Sequence, residues 1–174
     1  LNETIVNLTQ LVQIQSNSNI PIKSLELNLY LNKTLDLIRD LKNENQVTII
    51  NDIPDGVFVD FNPAYLESIL LNLTTNAIKY SNPEKPIVIK FTFSLENGKK
   101  TVSISDNSLG IDLKKHGDSL FGMYKTFHNH KEAHGLGLYI TKNKIESMKG
   151  TVSVESEVGV GTTFKITFNE SLND

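Results

Sequence analysis

The sequence has no cysteine among its 174 residues, which excludes a disulfide framework and a thiolate metal site. It also has no apolar run of membrane-spanning length, and no segment reads as a signal peptide. The net charge is only −3, with 21% charged residues. Neither nucleic acid nor an anionic membrane surface is therefore expected as a partner.

The length and the 39% hydrophobic content fit one sizeable core with an appendage. The chain begins with Leu rather than Met, inside LNETIVNLTQLVQIQ, where apolar residues recur at helical spacing. We expect a fragment of a longer protein, in which residues 1–17 end a helix and residues 18–174 form a domain.

Periodicity and turn residues divide the first half of the chain into helices and strands. IPIK, residues 20–23, is a candidate short strand, and Asn28 is the expected N-cap of the helix LYLNKTLDLIRDLKNEN. VTIIND and VFVD are predicted to pair around the turn IPDG. The next helix has Asn62 as its expected N-cap and Pro63 at its first position, where proline is favoured.

The second half gives the clearest β signal. Two alternating runs flank Asn97-Gly98, which predicts a hairpin. Residues 112–134 hold no period and are expected to form a long loop. A helix closed by Gly150 follows, and a last hairpin turns around EVGVG. Strands with interspersed helices favour a two-layer α/β sandwich.

The helix that contains NLTTNAIKYS carries a polar stripe beside its apolar one. Asn72 and Asn76 lie one turn apart on the same face, and Lys79 and Tyr80 continue it. The amide oxygen of Asn76 is a suitable ligand for Mg²⁺ held mainly by phosphates and water. Lys79 adds a positive charge near the same anion. Alone, two asparagines on a helix are most often solvated surface.

Two further motifs complete the parts of a nucleotide site. Asp106 ends a predicted strand, where its carboxylate can accept a hydrogen bond from an exocyclic amine such as that of adenine. Gly135 and Gly137 open a predicted helix, whose N–H groups and dipole favour a phosphate. These are the parts of an ATP–Mg²⁺ site, although neither a Walker motif nor a Rossmann fingerprint is present.

Five ordered segments resemble the N, G1, F, G2 and G3 boxes of sensor histidine kinases: NLTTNAIKYS, DNSLGI, LFGMYKTF, HGLGL and GVGTTFKI. The resemblance implies the Bergerat ATP-binding fold of the GHKL superfamily, shared with DNA gyrase, Hsp90 and MutL. In that fold a mixed, mostly antiparallel sheet packs on about three helices, as a two-layer sandwich. ATP lies between the layers under a mobile lid, here residues 112–134. Residues 1–17 resemble the end of the dimerisation and phosphoacceptor helix.

The resemblance also implies roles for single residues. Asp106 would bind the adenine amino group. The other implied adenine-pocket residues are Tyr80, Gly110, Ile111 and Thr162 or Thr163. Asn76 would ligate Mg²⁺. The residues implied to act on or near the phosphates are Asn72, Lys79 and Lys125. The residues implied to wrap the phosphates are Gly135, Leu136, Gly137 and Leu138.

Three departures from the family pattern stand out. Ser108 occupies the place of the usual first glycine of the G1 box, so the turn after Asp106 must tolerate a side chain. Ala133 replaces the first glycine of the G2 box, which would stiffen the lid hinge. The basic residue usual after the F box is out of register, and Lys125 is the nearest candidate.

Asn72 helps to choose among the reactions of the superfamily. Its hydrolysing members carry a glutamate one turn before the magnesium asparagine, and an amide is no general base. The sequence therefore favours transfer of the ATP γ-phosphoryl group to a protein histidine over hydrolysis. His128, His130 and His134 suit neither a phosphoacceptor helix nor a metal site, so the acceptor is expected upstream of residue 1.

The partners that follow from this reading are the chain's own dimerisation domain, in a homodimer, and the receiver domain of a response regulator. The expected location is the cytoplasm, without direct membrane contact from this segment. Two alternatives stay open. One is a nucleotide-binding scaffold without catalysis, and the other is a serine kinase of the anti-sigma-factor type.

Overall fold

The computed structural model describes residues 20–122 and 134–169 of the chain. The predicted helix in residues 1–17, the middle of the predicted lid and the candidate Lys125 lie outside these ranges. So do Ala133 and the histidines at positions 128 and 130.

The described residues form seven strands and five helices. The strands are β1 (Lys23–Glu26), β2 (Thr48–Asp52), β3 (Phe58–Phe61), β4 (Val88–Glu96), β5 (Lys99–Asp106), β6 (Thr151–Glu157) and β7 (Gly161–Thr167). The helices are α1 (Leu27–Leu37), α2 (Arg39–Glu44), α3 (Pro63–Lys79), α4 (Leu113–Leu120) and α5 (His134–Ser147).

A mixed five-stranded sheet forms one layer, in the order β2-β4-β5-β7-β6. β2 runs parallel to β4, and the other neighbours are antiparallel. Helices α1, α3 and α5 share one apolar core with this sheet. The sheet contributes Ile89, Phe91, Val102, Ile104, Phe164 and Ile166 to that core. The predicted two-layer sandwich with a mostly antiparallel sheet is confirmed.

Local sequence signals placed three elements correctly. The β4–β5 hairpin turns at Asn97 and Gly98, which have φ angles of 52° and 78° as a type I′ turn requires. Asn62 caps α3, because its Oδ1 accepts a hydrogen bond of 3.1 Å from the Tyr65 backbone. The last hairpin joins β6 and β7 as predicted.

The predicted pairing of VTIIND with VFVD was wrong. β2 pairs with β4, so that Ile49 lies opposite Ile89, whereas β3 pairs with β1 in a separate two-stranded sheet. The segment between β2 and β3 does not form a hairpin. It is bonded instead to the side chain of Asn28 in α1. The Asn28 amide donates to Ile53 O at 3.2 Å and to the Asp55 carboxylate at 3.1 Å.

Asn28 is therefore not the predicted N-cap. α1 begins at Leu27, two residues before the predicted start, with Glu26 at the cap position and no side-chain capping bond. The preceding strand covers Lys23–Glu26 rather than residues 20–23. The single predicted helix after it is broken at Ile38 into α1 and α2.

Two further corrections concern the second half of the chain. Part of the predicted long loop is helix α4, which Asp112 caps by accepting hydrogen bonds from the backbone of Lys114 (3.1 Å) and Lys115 (3.2 Å). After α5, the left-handed position belongs to Lys149, with φ of 57°, and not to Gly150. Gly150 is needed for a different reason, since a Cβ there would lie 2.8 Å from Thr167 O.

Candidate functional site

A cavity of about 390 Å³ opens between α3, the end of β5, α4 and β7. Its volume lies within the range of small-molecule sites, roughly 300–1,000 Å³. The candidates from the sequence that line it are Asn76, Tyr80, Asp106, Gly110, Ile111, Leu138 and Thr162. The structure therefore brings together most of the predicted adenine pocket and the predicted magnesium ligand.

Asp106 lines this cavity from the last position of β5. Its Oδ1 accepts hydrogen bonds from the backbone N–H groups of Ser108 (2.9 Å) and Thr162 (3.2 Å). Gly161 makes the second contact possible, because a Cβ at this glycine would overlap the Asp106 carbonyl. The carboxylate is thus fixed by the backbones on both sides of it.

Burial raises the pKa of Asp106 above its ordinary value. The Ser108 hydroxyl and the two backbone N–H groups act in the opposite direction, since hydrogen bonds to a carboxylate stabilise its charged form. The loss of hydration outweighs these bonds. Ionised Asp106 is therefore less favourable in the fold than in water, which is typical of ligand-binding groups.

The turn after Asp106 is held in place by three other elements. Leu109 donates its backbone N–H to Tyr80 O at 3.1 Å, and its carbonyl accepts from Gly159 N at 2.8 Å. Gly110 has a φ of 74°, and a Cβ there would overlap the backbone of Glu157. Ser108 does not have a positive φ, so the turn accommodates its side chain without strain.

The polar stripe of α3 divides into two parts. Asn76 and Tyr80 line the cavity, whereas Asn72 faces α5 and donates from Nδ2 to Thr141 Oγ1 at 2.8 Å. Lys79 is exposed, with Nζ 5.3 Å from the centroid of the Tyr80 ring. Asn72 and Lys79 therefore lie next to the cavity lining and are not part of it.

The glycine-rich start of α5 packs against α3. Gly137 contacts Asn72, because a Cβ at this glycine would lie 2.8 Å from Asn72 Oδ1. Gly135 lies in the first turn of α5. Leu138 joins the main core at the cavity wall, whereas Leu136 packs with Ile140 in a separate small cluster.

The structure distinguishes the two threonines that the sequence left open. Thr162 lies opposite Asp106 on β7 and lines the cavity. Thr163 points to the other face of the sheet, where its hydroxyl donates to Ser105 Oγ at 2.9 Å. The threonine at the cavity is therefore Thr162.

Sequence reasoning missed Ser156, which links two walls of the cavity. Its Oγ accepts from Ile111 N at 2.8 Å, donates to Gly161 O at 2.9 Å and lies 2.9 Å from Thr162 Oγ1. A signal was present, because Ser156 is a polar residue on the β6 face that Val152 and Val154 otherwise make apolar. The lining residues that were not among the candidates are Ala77, Ser108, Leu109, Asp112, His116, Ser119, Leu120 and Phe164.

Within residues 20–122 and 134–169, no group of three His, Cys, Asp or Glu side chains is placed to hold a metal ion. Among the same residues, no helix is both long and apolar enough to cross a membrane.

The chain belongs to the family of histidine kinase-, DNA gyrase B- and HSP90-like ATPases, whose model matches residues 61–172. It is 36% identical to the sensor protein RprX of Bacteroides fragilis over 113 residues, which cover 63% of this chain and 22% of RprX. It is 30% identical to the heme sensor protein HssS of Staphylococcus saprophyticus over 171 residues, 98% of this chain and 36% of HssS. The chain thus spans well under half of either relative.

Solved structures of histidine kinases share the fold. The Acinetobacter baumannii kinase AdeS matches with a TM-score of 0.79 at 19% identity, over 98% of this chain and 78% of that one. The catalytic domain of the kinase ThkA matches with a TM-score of 0.74 at 19% identity, over 86% and 96% of the two chains. At these identities the likeness establishes the architecture alone.

The contact between Gly137 and Asn72 leads to a stability prediction. Gly137→Ala should destabilise the fold, because its Cβ would displace Asn72 from its hydrogen bond with Thr141. In an Asn72→Ala background the same change should stabilise by about 0.5–1 kcal/mol, the helix preference of alanine over glycine. Urea unfolding of the four proteins in this cycle measures the coupling.

The matched control is Gly117→Ala in α4, where the nearest atom to the new Cβ is Leu113 Cβ at an ordinary 3.8 Å. This change should stabilise or be neutral in either background. If Gly137→Ala stabilises equally with and without Asn72, the two helices do not meet at this contact.

Proposed function

We propose that this chain is the ATP-binding catalytic domain of a sensor histidine kinase. Within the intact protein it would transfer the γ-phosphoryl group of Mg²⁺–ATP to a histidine of the dimerisation domain. The observation that carries the proposal is the part-buried Asp106 carboxylate, which two backbone N–H groups hold in a cavity lined by the N, G1, G2 and G3 segments and by α4. The family match supports a nucleotide as the ligand.

The adenine end of the ligand follows from the shape and charge of the cavity. Both backbone hydrogen bonds of Asp106 fall on Oδ1, so the amine of adenine would approach the other carboxylate oxygen. Leu138, Phe164 and Ile111 supply apolar walls on which a flat base can pack. Gly110 also lines the cavity, and its missing side chain lets this wall lie directly against the Glu157 backbone.

Asn76 suits a magnesium ion that arrives with the nucleotide. Its side chain lines the cavity, and an amide oxygen is a hard, neutral ligand of the kind that Mg²⁺ accepts beside phosphate oxygens and water. When bound, Mg²⁺ would neutralise charge on the phosphates.

The remaining phosphate contacts would come from the start of α5 and from Lys79. The N–H groups of Gly135, Leu136 and Gly137 belong to the first turn of a helix, where anions are favoured. Lys79 is exposed and one turn from Asn76, so its ammonium group can reach a phosphate tail that leaves the cavity. Lys125 stays a candidate from the sequence for the same role.

Transfer is favoured over hydrolysis by the environment of Asn72. An amide cannot take a proton from water, and this amide is further engaged with Thr141 on α5. We infer that Asn72 joins the two helices that hold the phosphates. The phosphoryl group would then pass to a receiver domain of a response regulator, as the resemblance to sensor histidine kinases implies.

The first prediction from the proposed function distinguishes the effect of Asp106 on ATP binding from its effect on stability. Asp106→Asn should weaken ATP binding by roughly 10- to 150-fold, the equivalent of about 1.5–3 kcal/mol for a hydrogen bond to a charged group. The free energy of unfolding of the ligand-free protein at pH 7.5 should not fall. The pKa of Asp106 is raised by folding, so its contribution to stability is present below its unfolded pKa and is lost as the pH rises through its folded pKa.

Calorimetric titration with ATP and urea unfolding on the same samples measure the two effects. Asp60→Asn is a suitable control for ATP binding, because Asp60 lies on β3 in the separate two-stranded sheet and does not line the cavity. An unchanged dissociation constant in a folded Asp106→Asn protein would remove this residue from the site.

The second prediction concerns magnesium. Asn76→Ala should remove most of the gain in ATP affinity that Mg²⁺ gives the wild type, while adenosine affinity, which needs no metal, stays about the same. Titrations of ATP and adenosine with and without Mg²⁺ measure this difference. A normal magnesium dependence in the variant would place the metal ligand elsewhere.

The third prediction concerns the reaction. The chain alone should bind Mg²⁺–ATP, label itself negligibly and release phosphate very slowly. A separate helical hairpin that carries an acceptor histidine should become phosphorylated on that histidine, and the Asp106→Asn chain should support this less well. Mass spectrometry under conditions that preserve phosphohistidine checks the site of labelling. Stoichiometric phosphohistidine on this chain, or rapid phosphate release without an acceptor, would contradict the assigned roles.

A further inference from the structure

We propose that Ser156 is a positioning residue for the adenine end of the cavity, where its hydroxyl joins two walls. The role rests on the proposed function, since adenine is the group expected at this end. The described residues that line the cavity include Ile111 and Thr162 but not Ser156. Ser156 therefore acts on a bound base through these two neighbours.

Ser156 belongs to a row of residues that crosses three neighbouring strands. Ser156 on β6 lies opposite Thr162 on β7, and Thr162 lies opposite Asp106 on β5. Side chains at directly opposite positions project from the same face of a sheet. The hydroxyl oxygens of Ser156 and Thr162 are 2.9 Å apart, and the Thr162 backbone N–H donates to Asp106 Oδ1 at 3.2 Å. The row thus connects Ser156 to the carboxylate that is expected to bind the adenine amine.

The hydrogen bonds of Ser156 fix the direction in which the Thr162 hydroxyl donates. Ser156 Oγ accepts from the Ile111 N–H at 2.8 Å and donates to the Gly161 carbonyl at 2.9 Å. A hydroxyl has a single proton, and this one is used on Gly161 O. The Thr162 hydroxyl therefore donates its own proton to Ser156 Oγ. Ser156 holds the Thr162 side chain in one orientation, with its proton directed at β6.

The same hydroxyl fixes the start of α4. Ile111 directly precedes Asp112, the N-cap of α4, so its bond to Ser156 sets where the helix leaves the preceding turn. The end of α4 is held separately, because the Phe121 and Phe164 rings meet edge to face with centroids 6.4 Å apart. The helix is thus attached to β6 at its start and to β7 at its end. Loss of the Ser156 hydroxyl removes the first attachment and leaves the second in place.

Removal of this hydroxyl should weaken binding of the base and not of the phosphates. Ser156→Ala, and Ser156→Cys with its weak thiol donor, should raise the dissociation constants of ATP and of adenosine by the same factor, about three- to tenfold, as for loss of a neutral hydrogen bond. Ser156→Thr keeps the hydroxyl on a residue that strands favour and should restore most of the affinity.

The matched control is Ser153→Ala, which removes a hydroxyl from the exposed face of the same strand. Both dissociation constants should stay at their wild-type values in this variant. Urea unfolding of each protein checks that it is folded under the conditions of the titrations.

A double-mutant cycle tests whether Ser156 acts through Thr162. Thr162→Val nearly keeps the shape of the threonine and removes its hydroxyl. In that background Ser156→Ala should raise the ATP dissociation constant by a smaller factor than in the wild type, because the bond between the two hydroxyls is already absent. A general loss of stability would not depend on the Thr162 hydroxyl in this way, so equal factors in the two backgrounds would overturn the role.

A ligand-free measurement tests the contact itself. In ¹H–¹⁵N spectra the Ile111 amide proton should move upfield and exchange faster with solvent in Ser156→Ala, and it should return toward its wild-type position in Ser156→Thr. The Leu109 amide, which donates to Tyr80 O, is the internal control and should not move.

Two kinds of failure can be told apart. If the wild type binds ATP and adenosine but Ser156→Ala binds both equally well, or if the Ile111 amide does not move, the role of Ser156 is wrong and the proposed function stands. If the wild type binds neither ligand, the proposed function is wrong and the positioning role falls with it.

Discussion

The contact between the end of β5 and the start of β7 is the constraint on which the rest of the site depends. Asp106 and Thr162 lie opposite each other across these strands, and the strands approach closely because Gly161 has no side chain. That approach brings the Thr162 N–H to the Asp106 carboxylate. It also sets the path of the turn that follows, which forms one wall of the cavity.

A carboxylate that loses part of its hydration is costly, and in the described residues the fold surrounds the part-buried Asp106 with hydrogen-bond donors. Within the described residues, the groups that lower the pKa of Asp106 are hydrogen-bond donors from Ser108 and Thr162. A nearby lysine or arginine would hold the charge more firmly, yet it would compete with the amine of a ligand. Neutral donors leave the charge available, which suits recognition of an uncharged base that presents an N–H group.

Helix α3 contributes side chains both to the core between the two layers and to the cavity. Its apolar stripe, with Leu66, Ile69 and Leu73, is buried against the sheet. Its polar stripe is shared, because Asn76 faces the cavity and Asn72 faces α5 through Thr141. The two asparagines, one turn apart, thus have different contacts. Asn72 is the one that packs against Gly137 at the glycine-rich start of α5.

Elements whose signals are local could be predicted from the sequence. The Asn97-Gly98 hairpin and the Asn62 cap each depend on residues close in the chain, and both were predicted correctly. The box motifs likewise placed Asp106 and Asn76 at one cavity. Their spacing reflects a shared fold, so the resemblance carried information about tertiary structure that composition and periodicity do not contain.

Strand pairing and the identity of some cavity residues depend on contacts between distant parts of the chain, and they became known only from the three-dimensional structure. β2 pairs with β4 and not with β3. The segment that connects β2 to β3 is bonded to the Asn28 side chain in α1, which is distant in sequence. The choice of Thr162 over Thr163 depends on the register of β7 against β5, since a shift of one residue exchanges the two faces. The position of Ser156 beside Thr162 likewise depends on the register of β6 against β7. These contacts join residues far apart in the chain, and no local pattern fixes which of them will meet.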